Sequence, residues 1–569
     1  MTRRAHILAI IALSAVMVIF IQFNQTVAIL TGGYLKTPWI IPESNDESYY
    51  LPLVNESAKG NTNLGNPFIK EHAQDRFLYP ALNINTVGFI KRLFSLDVKT
   101  LSVILDYVMV LVISVLVFAL FLTRFAWRPF GYFAGVVYLL IPRMFVFLKR
   151  PVSPQINFLP LLAFLIFYFS KKISFWKREI GLAAFTAVMF YTYPYHWTFA
   201  LTLLGLTDLW SFIKARRIIW RQLVKYVLMA VGASYYFYNL FLITKLSYYH
   251  ESMRRIGALY NRLPAGFFTH ILLILLLIGI FFLARFIRRK RPELVHRLGF
   301  FEPAILGLAA SSIVLNQQFI TGMQLEFNSH YLPVVLIFAT DAFVGIIDLA
   351  RAAGEKLKMF AIAAAIVVLI VLIGADFNTL RENPFKREHF YPSADLQVVA
   401  WFRESRITDK VIYAPRDLND LINLYTGNYL SFALNERLQL ASTAEILDRW
   451  IYHDLGDGQA TAGLMKYQNE VFGNFYTAKM QKDNVVHEAL AFITGKKFIP
   501  ATPEQYVKFD FGPIRRQREN ATSEIFNSYL QKYNVDYVVY RVNDRPDIFG
   551  LVPGDIVFQS EKYIIKKRK

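Results

Sequence analysis

Residues 42–50, with the sequence PESNDESYY, follow an apolar span over residues 7–30. The apolar run is too long for the core of a cleaved signal sequence and therefore predicts a retained first membrane helix. The polar stretch places two neighbouring carboxylates, Asp46 and Glu47, just beyond that helix. A carboxylate at this position can accept a proton from a hydroxyl group at the bilayer surface. The two features together predict a membrane protein with a site at one membrane face.

The composition of the chain agrees with this interpretation. The 569 residues are 55% hydrophobic and 16% aromatic, which is too apolar for a soluble protein and too long for one domain. Cysteine is absent, which excludes disulfides, thiolate metal ligands and cysteine nucleophiles and favours a bacterial or archaeal envelope over a eukaryotic lumen. The net charge of +20 lies almost entirely in the first 375 residues. Because the remaining residues form no basic stripe interleaved with aromatics, a nucleic-acid partner is not expected.

Eleven apolar runs are long enough to predict membrane helices. Basic residues recur in every second connecting loop, most densely at residues 288–291 (RRKR), which predicts a cytoplasmic N-terminus in the plasma (inner) membrane. An odd number of spans then places residues 376–569 outside, on the same side as the loop 31–100. The predicted spans are residues 7–30, 101–123, 130–148, 156–170, 179–193, 194–213, 222–244, 266–287, 301–319, 330–349 and 357–375.

The chain accordingly divides into a polytopic α-helical membrane domain, residues 1–375, and an extracytoplasmic domain, residues 376–569. In the first outer loop, residues 86–94 have apolar side chains at helical spacing and predict a helix lying in the membrane interface. In the second domain, helices alternate with short strands, which predicts a small α/β fold. The predicted helices are 396–405, 418–425 and 523–533, and the predicted strands are 410–414, 535–542, 555–559 and 562–566.

The acidic pair is interpreted as part of an extended segment, in which adjacent side chains point to opposite faces and one of them enters the site. A solvated acidic loop end is the alternative. The retained first helix, the long outer loop with its acidic pair, the number of spans and the outer domain resemble the GT-C superfamily of membrane glycosyltransferases. The broad likeness is to protein mannosyltransferases and lipid A aminoarabinose transferases.

This resemblance implies a sugar linked to polyprenyl phosphate as donor and a glycan, lipid or protein as acceptor. Asp46 would be the general base of an inverting transfer, and Glu47 would orient it or contact the acceptor. A divalent metal would fit a carboxylate pair, but two carboxylates alone do not define a metal site.

Further candidate substrate-binding residues lie on the predicted outer face. Glu71, His72 and Asp75 concentrate titratable groups between two prolines and predict sugar or acceptor contacts, with a solvated helix face as the alternative. Lys149 and Arg150 run against the positive-inside trend and predict contact with a lipid phosphate. Snorkelling into the headgroup region is the alternative explanation for these two cations. Arg254 and Arg255 raise the same question.

Polar residues also end one predicted span and begin the next on this face. Gln317 and Gln318 are costly at a membrane boundary unless they face a cavity or a partner. His330 and Tyr331 open the following helix on the same side. The resemblance implies that all four face the lipid-linked donor, whereas ordinary interfacial residues are the alternative. His330 is predicted to converge with Lys149 and Arg150 on one lipid phosphate. The segment 191–197 (YTYPYHW) is interpreted as an aromatic belt, with a sugar-stacking platform as the second interpretation.

Two other classes of function remain open from the sequence. A transporter or flippase would carry charged residues in mid-helix, for which Asp106, Arg143, Asp341 and Asp348 are the candidates. It would leave the outer loop and the outer domain unexplained. A non-catalytic envelope scaffold would give the acidic pair and the basic cluster no shared role. The Trp-Trp-Asp motif of oligosaccharyltransferases is absent from the outer domain, which argues against transfer of a whole oligosaccharide to asparagine.

Overall fold

The computed structural model describes residues 3–569 with internal gaps, and the side chains of Asp46 and Glu47 also lie outside the description. The gaps are residues 33–44, 77–80, 126–127, 142–143, 145–146, 149–154, 171, 217–219, 261, 263–273, 275–277, 280, 283–284, 325–327, 354, 382–391, 457–467 and 496.

The first part of the chain is a helical bundle. Most of its helices overlap the predicted spans, although the helix in the predicted span 130–148 ends at Leu139. The predicted span 266–287 lies mostly outside the described residues. The count of eleven spans therefore stays a prediction. The helices are Arg3–Ile21, Phe23–Gly32, Val98–Arg124, Arg128–Leu139, Ile156–Phe169, Phe175–Phe190, Pro194–Ala215, Trp220–Gly232, Ser234–Thr244, Phe301–Leu315, Leu332–Ala353 and Glu355–Arg381.

Three of the described helices are each long and apolar enough to cross a membrane: Arg4–Ile21, Val98–Arg124 and Leu332–Ala352. Residues 222–244 form a fourth span if their two helices, which meet at an angle of 47°, are taken together. The bend falls between Gly232 and Ser234, where small residues commonly allow a helix to kink.

Helix Val98–Arg124 is central to the bundle and packs against the first helix and against Arg128–Leu139 and Ile156–Phe169. It begins after Asp97, whose carboxylate accepts the backbone N–H groups of Lys99 and Thr100. This cap satisfies two donors that a helix N-terminus otherwise leaves without partners. One face of the helix, including Phe118 and Phe121, is fully buried in the apolar core.

The C-terminal part of the chain, which we call the outer domain after its predicted location, contains a five-stranded sheet, which confirms the predicted small α/β fold. Strand β3 (Val411–Tyr413) pairs in parallel with β4 (Tyr429–Leu430) and β5 (Tyr537–Arg541). Strand β7 (Tyr563–Lys567) pairs antiparallel with β5 and with β6 (Asp555–Gln559). The longer helices of this domain are Ser393–Glu404, Arg416–Thr426, Thr443–Ile451, Phe475–Thr494, Gly512–Glu519 and Ser523–Lys532. A separate two-stranded pair, β1 (Leu259–Tyr260) and β2 (Met323–Gln324), joins two loops of the membrane domain.

The first outer loop forms two helices, Asn45–Lys59 and Leu82–Phe94. The second confirms the helix predicted at residues 86–94 and has a buried face with Ile84 and Val87 opposite exposed apolar side chains. The expectation that Asp46 and Glu47 lie in an extended segment is wrong, because both are in the first turn of helix Asn45–Lys59. The sequence Ser-Asn-Asp-Glu at residues 44–47 is typical of a helix N-terminus, and the extended interpretation overlooked this signal.

This loop shares one hydrophobic core with the outer domain. Leu51 and Val54 of the loop belong to the same buried cluster as Phe402 and Ile422. The backbone joins the two parts as well, since the N–H of Leu430 donates to the carbonyl of Phe68 at 2.8 Å. The outer domain therefore fixes the position of the first outer loop above the bundle.

Candidate functional site

The helix that carries the acidic pair is anchored one turn beyond it. Ser48 Oγ accepts a hydrogen bond from Asn435 Nδ2 of the outer domain at 3.1 Å. Tyr49 is buried, and its ring centroid lies 6.2 Å from that of Phe68. Backbone N–H groups at a helix N-terminus favour negative charge, and both acidic residues lie in this first turn.

A cavity of about 420 Å³ lies where the first outer loop meets the bundle. Its lining combines side-chain amides, tyrosine rings and one arginine. Amides offer both donors and acceptors to hydroxyl groups, and tyrosine rings offer a flat apolar face with a polar edge. This combination suits a ligand rich in hydroxyl groups, such as a sugar. The main polar and aromatic lining residues are Asn63, Gln74, Arg76, Asn85, Tyr191, Tyr235, Tyr236 and Asn239.

Helix Asn45–Lys59 connects the acidic pair to one wall of this cavity. Ser57 Oγ donates to Asn85 Oδ1 at 2.8 Å, and Asn85 Nδ2 donates to the carbonyl of Thr62 at 3.1 Å. A Cβ atom at Gly88 would lie 2.4 Å from Ser57 Oγ, so glycine is needed for the close approach of the two loop helices. The amide of Asn85 is thereby held in one orientation at the cavity.

The opposite wall is tied to the loop by two further contacts. Arg76 Nη1 donates to Asn239 Oδ1 at 3.0 Å, across the cavity from one segment to another. The hydroxyl of Tyr191 donates to the carbonyl of Gly232 at 2.8 Å, and the carbonyl of Tyr191 accepts from the N–H of Leu82 at 2.9 Å. The first outer loop, the segment 191–197 and helix Ser234–Thr244 are thus brought together around one cavity.

Of the predicted residues, Glu71 and His72 contact the outer domain, and Asp75 contacts His72. His72 is bonded through Nδ1 to Asp75 at 2.6 Å and through Nε2 to Glu445 at 2.9 Å. Arg449 Nη2 lies 3.1 Å from Glu445 and 3.3 Å from Glu71. We call these five residues the loop–domain clasp. The segment is partly exposed and is also bonded to the outer domain, and its role as a substrate contact stays a prediction.

The electrostatics of the clasp follow from this pairing. The hydrogen bond to Glu445, helped by Asp75, raises the pKa of His72 to about 9 against the opposing effect of burial. The same hydrogen bond from His72, helped by Arg449, lowers the pKa of Glu445 to about 2. Both groups are therefore charged near neutral pH, and each ring nitrogen of His72 donates a hydrogen bond to a carboxylate.

His330 lies in an aromatic cluster formed by the segment 191–197. Its ring stacks on Tyr193 at a centroid distance of 5.6 Å and contacts Tyr195 at 4.8 Å, and Nδ1 is hydrogen-bonded to the Tyr193 hydroxyl. Tyr331 is buried, and its hydroxyl is 2.9 Å from Thr198 Oγ1. The structure thus brings His330 together with the predicted aromatic belt, while Tyr331 packs into the bundle.

The amides of Gln317 and Gln318 lie in the turn before strand β2. Gln317 Nε2 donates to the carbonyl of Met323 at 2.7 Å, and its Oε1 accepts from the Thr321 hydroxyl at 2.8 Å. Gln318 is fully buried. The contacts of Gln317 satisfy its polar atoms within the turn.

Lys149 and Arg150 lie outside the described residues, so their convergence with His330 on one phosphate stays a prediction. Arg255, in contrast, is buried and donates to the carbonyls of Arg437 and Gln439 at 3.2 and 3.3 Å and to Thr443 Oγ1 at 2.7 Å. Burial lowers the pKa of this guanidinium to about 10. Arg255 docks the outer domain on the bundle, a role that no local feature of the sequence indicated.

The charged residues in mid-helix that would suit a transporter are bonded to neighbouring residues where the structure describes them. Gln25 Nε2 donates to Asp106 at 2.8 Å, and Arg124 Nε donates to Asp341 at 2.9 Å. Asp348 is 3.1 Å from Arg351 one turn away, whereas Arg143 lies outside the described residues. Among the described side chains, no group of three or more His, Asp or Glu residues could hold a metal ion.

Comparisons with known proteins extend these observations. No protein-family model matches the sequence, and no curated protein is significantly similar to it. Among solved structures, the apo oligosaccharyltransferase of Archaeoglobus fulgidus matches 94% of this chain and 69% of its own, with a TM-score of 0.50 and 12% identity. A second match is to ArnT from Cupriavidus metallidurans, which was solved bound to undecaprenyl phosphate. This match covers 99% of this chain and 98% of the ArnT chain, with a TM-score of 0.45 and 12% identity.

The likeness to the Archaeoglobus enzyme extends over both the helical bundle and the outer domain. At 12% identity it is a likeness of fold, and it agrees with the resemblance found in the sequence. The chain therefore has the fold of the GT-C glycosyltransferases.

Proposed function

We propose that this protein is a membrane glycosyltransferase that moves a sugar from a polyprenyl-phosphate donor to an acceptor on the extracytoplasmic side. The observation that carries the proposal is the cavity at the base of the first outer loop, where amides and tyrosine rings meet. The GT-C fold supports the class of reaction, and the chemistry of the lining supports a carbohydrate ligand.

In the proposed reaction, Asp46 takes the proton from an acceptor hydroxyl. The resulting oxygen nucleophile attacks the anomeric carbon, the bond from that carbon to the phosphate oxygen breaks, and the configuration inverts. Polyprenyl phosphate departs with the bonding electrons, and Lys149, Arg150 and His330 stabilise its negative charge. The position of Asp46 in the first turn of helix Asn45–Lys59 supports this role, because a helix N-terminus favours negative charge.

The helical position of the acidic pair changes the expected role of Glu47. Successive residues of an α-helix are rotated by about 100°, whereas adjacent residues of an extended segment alternate between opposite faces. We therefore propose that Glu47 contacts the acceptor next to Asp46.

Asp75 is the second candidate for the base. It lies between Gln74 and Arg76, which both line the cavity. Its carboxylate is bonded to His72 at 2.6 Å, so it would have to leave the clasp or share this partner to act on a substrate.

A transfer assay with purified protein and a panel of radiolabelled polyprenyl-phosphate sugars tests the proposal. Asp46→Asn keeps the shape of the side chain but cannot accept the proton, so we expect kcat to fall by about 10²- to 10⁴-fold with donor binding preserved. Asp555→Asn, at an exposed carboxylate of the outer domain, is the matched control. Full activity of Asp46→Asn on a hydroxyl acceptor would move the base to Glu47 or Asp75. Absence of transfer from every donor by wild-type protein would contradict the proposed function.

The role of the cavity can be separated from the role of the base. Asn239→Ala removes an amide from the lining, and losing one or two neutral hydrogen bonds should raise KM by about tenfold with kcat nearly unchanged. Asn484→Ala removes an amide that pairs with Ala501 in the outer domain and should leave both constants unchanged. Unchanged KM in Asn239→Ala for every sugar tested would show that the cavity does not hold a substrate.

A further inference from the structure

A second cavity, of about 890 Å³, lies at the opposite end of helix Pro194–Ala215 from the aromatic cluster. It opens between the end of that helix, the helical residues 285–290 and the start of helix Phe301–Leu315. Its volume falls in the range of about 300–1,000 Å³ that is usual for pockets that bind small ligands. The positive-inside pattern predicts that this end of the bundle faces the cytoplasm.

The walls of this cavity are apolar, and cations surround it. Trp210, Phe281, Phe301 and Ile305 are among the apolar lining residues. Lys214, Arg285, Arg288 and Arg289 supply the cations, against the single carboxylate of Glu302. The cavity therefore combines a hydrocarbon-like interior with a strong excess of positive charge.

The three arginines share one side of their helix, because residues three and four positions apart are neighbours on a helix surface. Glu302 is 2.6 Å from Lys214 and is thus already paired. Within the described part of the chain, no carboxylate lies within ion-pair distance of Arg285, Arg288 or Arg289. Three cations are left to attract an anion at the membrane boundary.

We propose that this second cavity binds an anionic membrane lipid. The lipid phosphate is held by Arg285, Arg288 and Arg289, and the first part of the hydrocarbon chain lies against Trp210 and Phe301. A free phosphate would use the cations but leave the apolar walls without a partner. The proposal concerns a different end of the molecule from the transfer site and does not depend on the proposed function.

Native mass spectrometry of lipid-stripped protein in detergent tests this site, with phosphatidylglycerol, undecaprenyl phosphate, phosphatidylcholine and inorganic phosphate as separate probes. We expect one tightly bound anionic lipid and weak binding of phosphatidylcholine. The triple variant R285Q/R288Q/R289Q should bind the anionic lipid about a hundredfold more weakly, from roughly a fivefold loss per cation. The single variant Arg288→Gln should bind the anionic lipid about fivefold more weakly. It tests the site if the triple variant does not fold.

A matched control removes three cations elsewhere at the same membrane boundary. R128Q/K172Q/K177Q changes three exposed residues outside the cavity and should bind the lipid like wild type. An equal loss of lipid affinity in both triple variants would show that general surface charge, and not this cavity, attracts the lipid. That result would overturn the proposal. Inorganic phosphate binding as tightly as the lipids would overturn the lipid assignment. A preference between the two anionic lipids would identify which of them the site selects.

Discussion

The ion pairs of the helical bundle and those of the loop–domain clasp have similar geometry but different surroundings. Arg124 lies 2.9 Å from Asp341 in the bundle, and the two side chains are 8% and 1% exposed. His72 lies at the same distance of 2.9 Å from Glu445 in the clasp, where the side chains are 20% and 28% exposed. The first pair is closed off from solvent, whereas the second can exchange protons with it.

The buried and the partly exposed ion pairs therefore have different roles in the structure. Removing one partner of a buried pair leaves a charge that neither water nor protein compensates, so such a pair fixes one arrangement of the helices. Arg124 is also covered by the ring of Phe300, with 3.7 Å between the guanidinium carbon and the ring centroid. The clasp instead joins the outer loop to the outer domain through groups that titrate. We infer that the bundle is the rigid part and that the clasp adjusts with pH.

The largest effect is expected for Arg124→Ala. The substitution leaves Asp341 buried without its partner and should destabilise the bundle by about 3–5 kcal/mol. Lys532→Ala breaks the exposed pair with Asp448, whose side chains are 59% and 41% exposed, and should cost at most about 1 kcal/mol. Thermal unfolding in detergent compares the two variants. Equal losses would show that burial does not distinguish these ion pairs.

A smaller effect is expected for Arg255→Ala, which lies at the boundary between bundle and outer domain. The substitution leaves the carbonyls of Arg437 and Gln439 without their donor and should loosen residues 437–443 by about 2–3 kcal/mol. Hydrogen exchange of these residues should be about 30- to 150-fold faster. The neighbouring exposed residue gives the control, since Arg254→Ala should leave exchange unchanged. Protection that survives in Arg255→Ala would assign the docking to the shared hydrophobic core.

The clasp should make stability depend on pH. The pKa of His72 rises from 6.5 to about 9 on folding, so its contribution is complete below pH 6.5 and is lost as pH rises through 9. The pKa of Glu445 falls to about 2, so its contribution is lost only as pH falls through that value. Wild-type protein should therefore lose stability relative to His72→Gln between pH 6.5 and 9, by about 1 kcal/mol because the clasp is partly solvated.

The measurement is the difference between the two unfolding curves at each pH. Buried Glu436, which lies near Arg449 and whose pKa burial raises to about 7, titrates in the same range. It is present in both proteins, so its effect largely cancels in the difference. Curves that stay parallel from pH 6.5 to 9 would show that the clasp does not raise the pKa of His72.

The sequence predicted those features that depend on local pattern. The apolar run at residues 101–123 became helix Val98–Arg124, and the run of β-branched and aromatic residues at 535–542 (VDYVVYRV) became strand β5. The polar residues around Asp46 also indicate the start of a helix, a signal that the extended interpretation of this segment overlooked. The length of an apolar run and the period of side chains need no knowledge of the rest of the chain.

The contacts that build the site could not be predicted from such local patterns. His72 and Glu445 are 373 residues apart in the sequence, and Arg76 and Asn239 are 163 residues apart. Nothing near either residue specifies its partner, because the pairing arises only when the loop packs on the outer domain and the bundle. The same holds for Arg255, whose burial among carbonyls gives it a docking role that its cationic chemistry alone does not indicate.

The smallest effect is expected for Lys59→Ala, at the exposed end of the contact between loop and domain. Lys59 Nζ is 2.8 Å from Glu56 and 3.0 Å from Asp409, but its side chain is 34% exposed and that of Asp409 is 62% exposed. Glu56 keeps the hydroxyl of Tyr429 as a hydrogen-bond donor at 3.2 Å, so its carboxylate stays hydrogen-bonded after the substitution. We expect a loss below about 1 kcal/mol that fades as salt is raised from 0.01 M towards about 1 M, where screening acts over about 3 Å. A loss that persists at high salt and approaches that of Arg124→Ala would show that this solvated pair holds the loop as firmly as a buried pair holds the bundle.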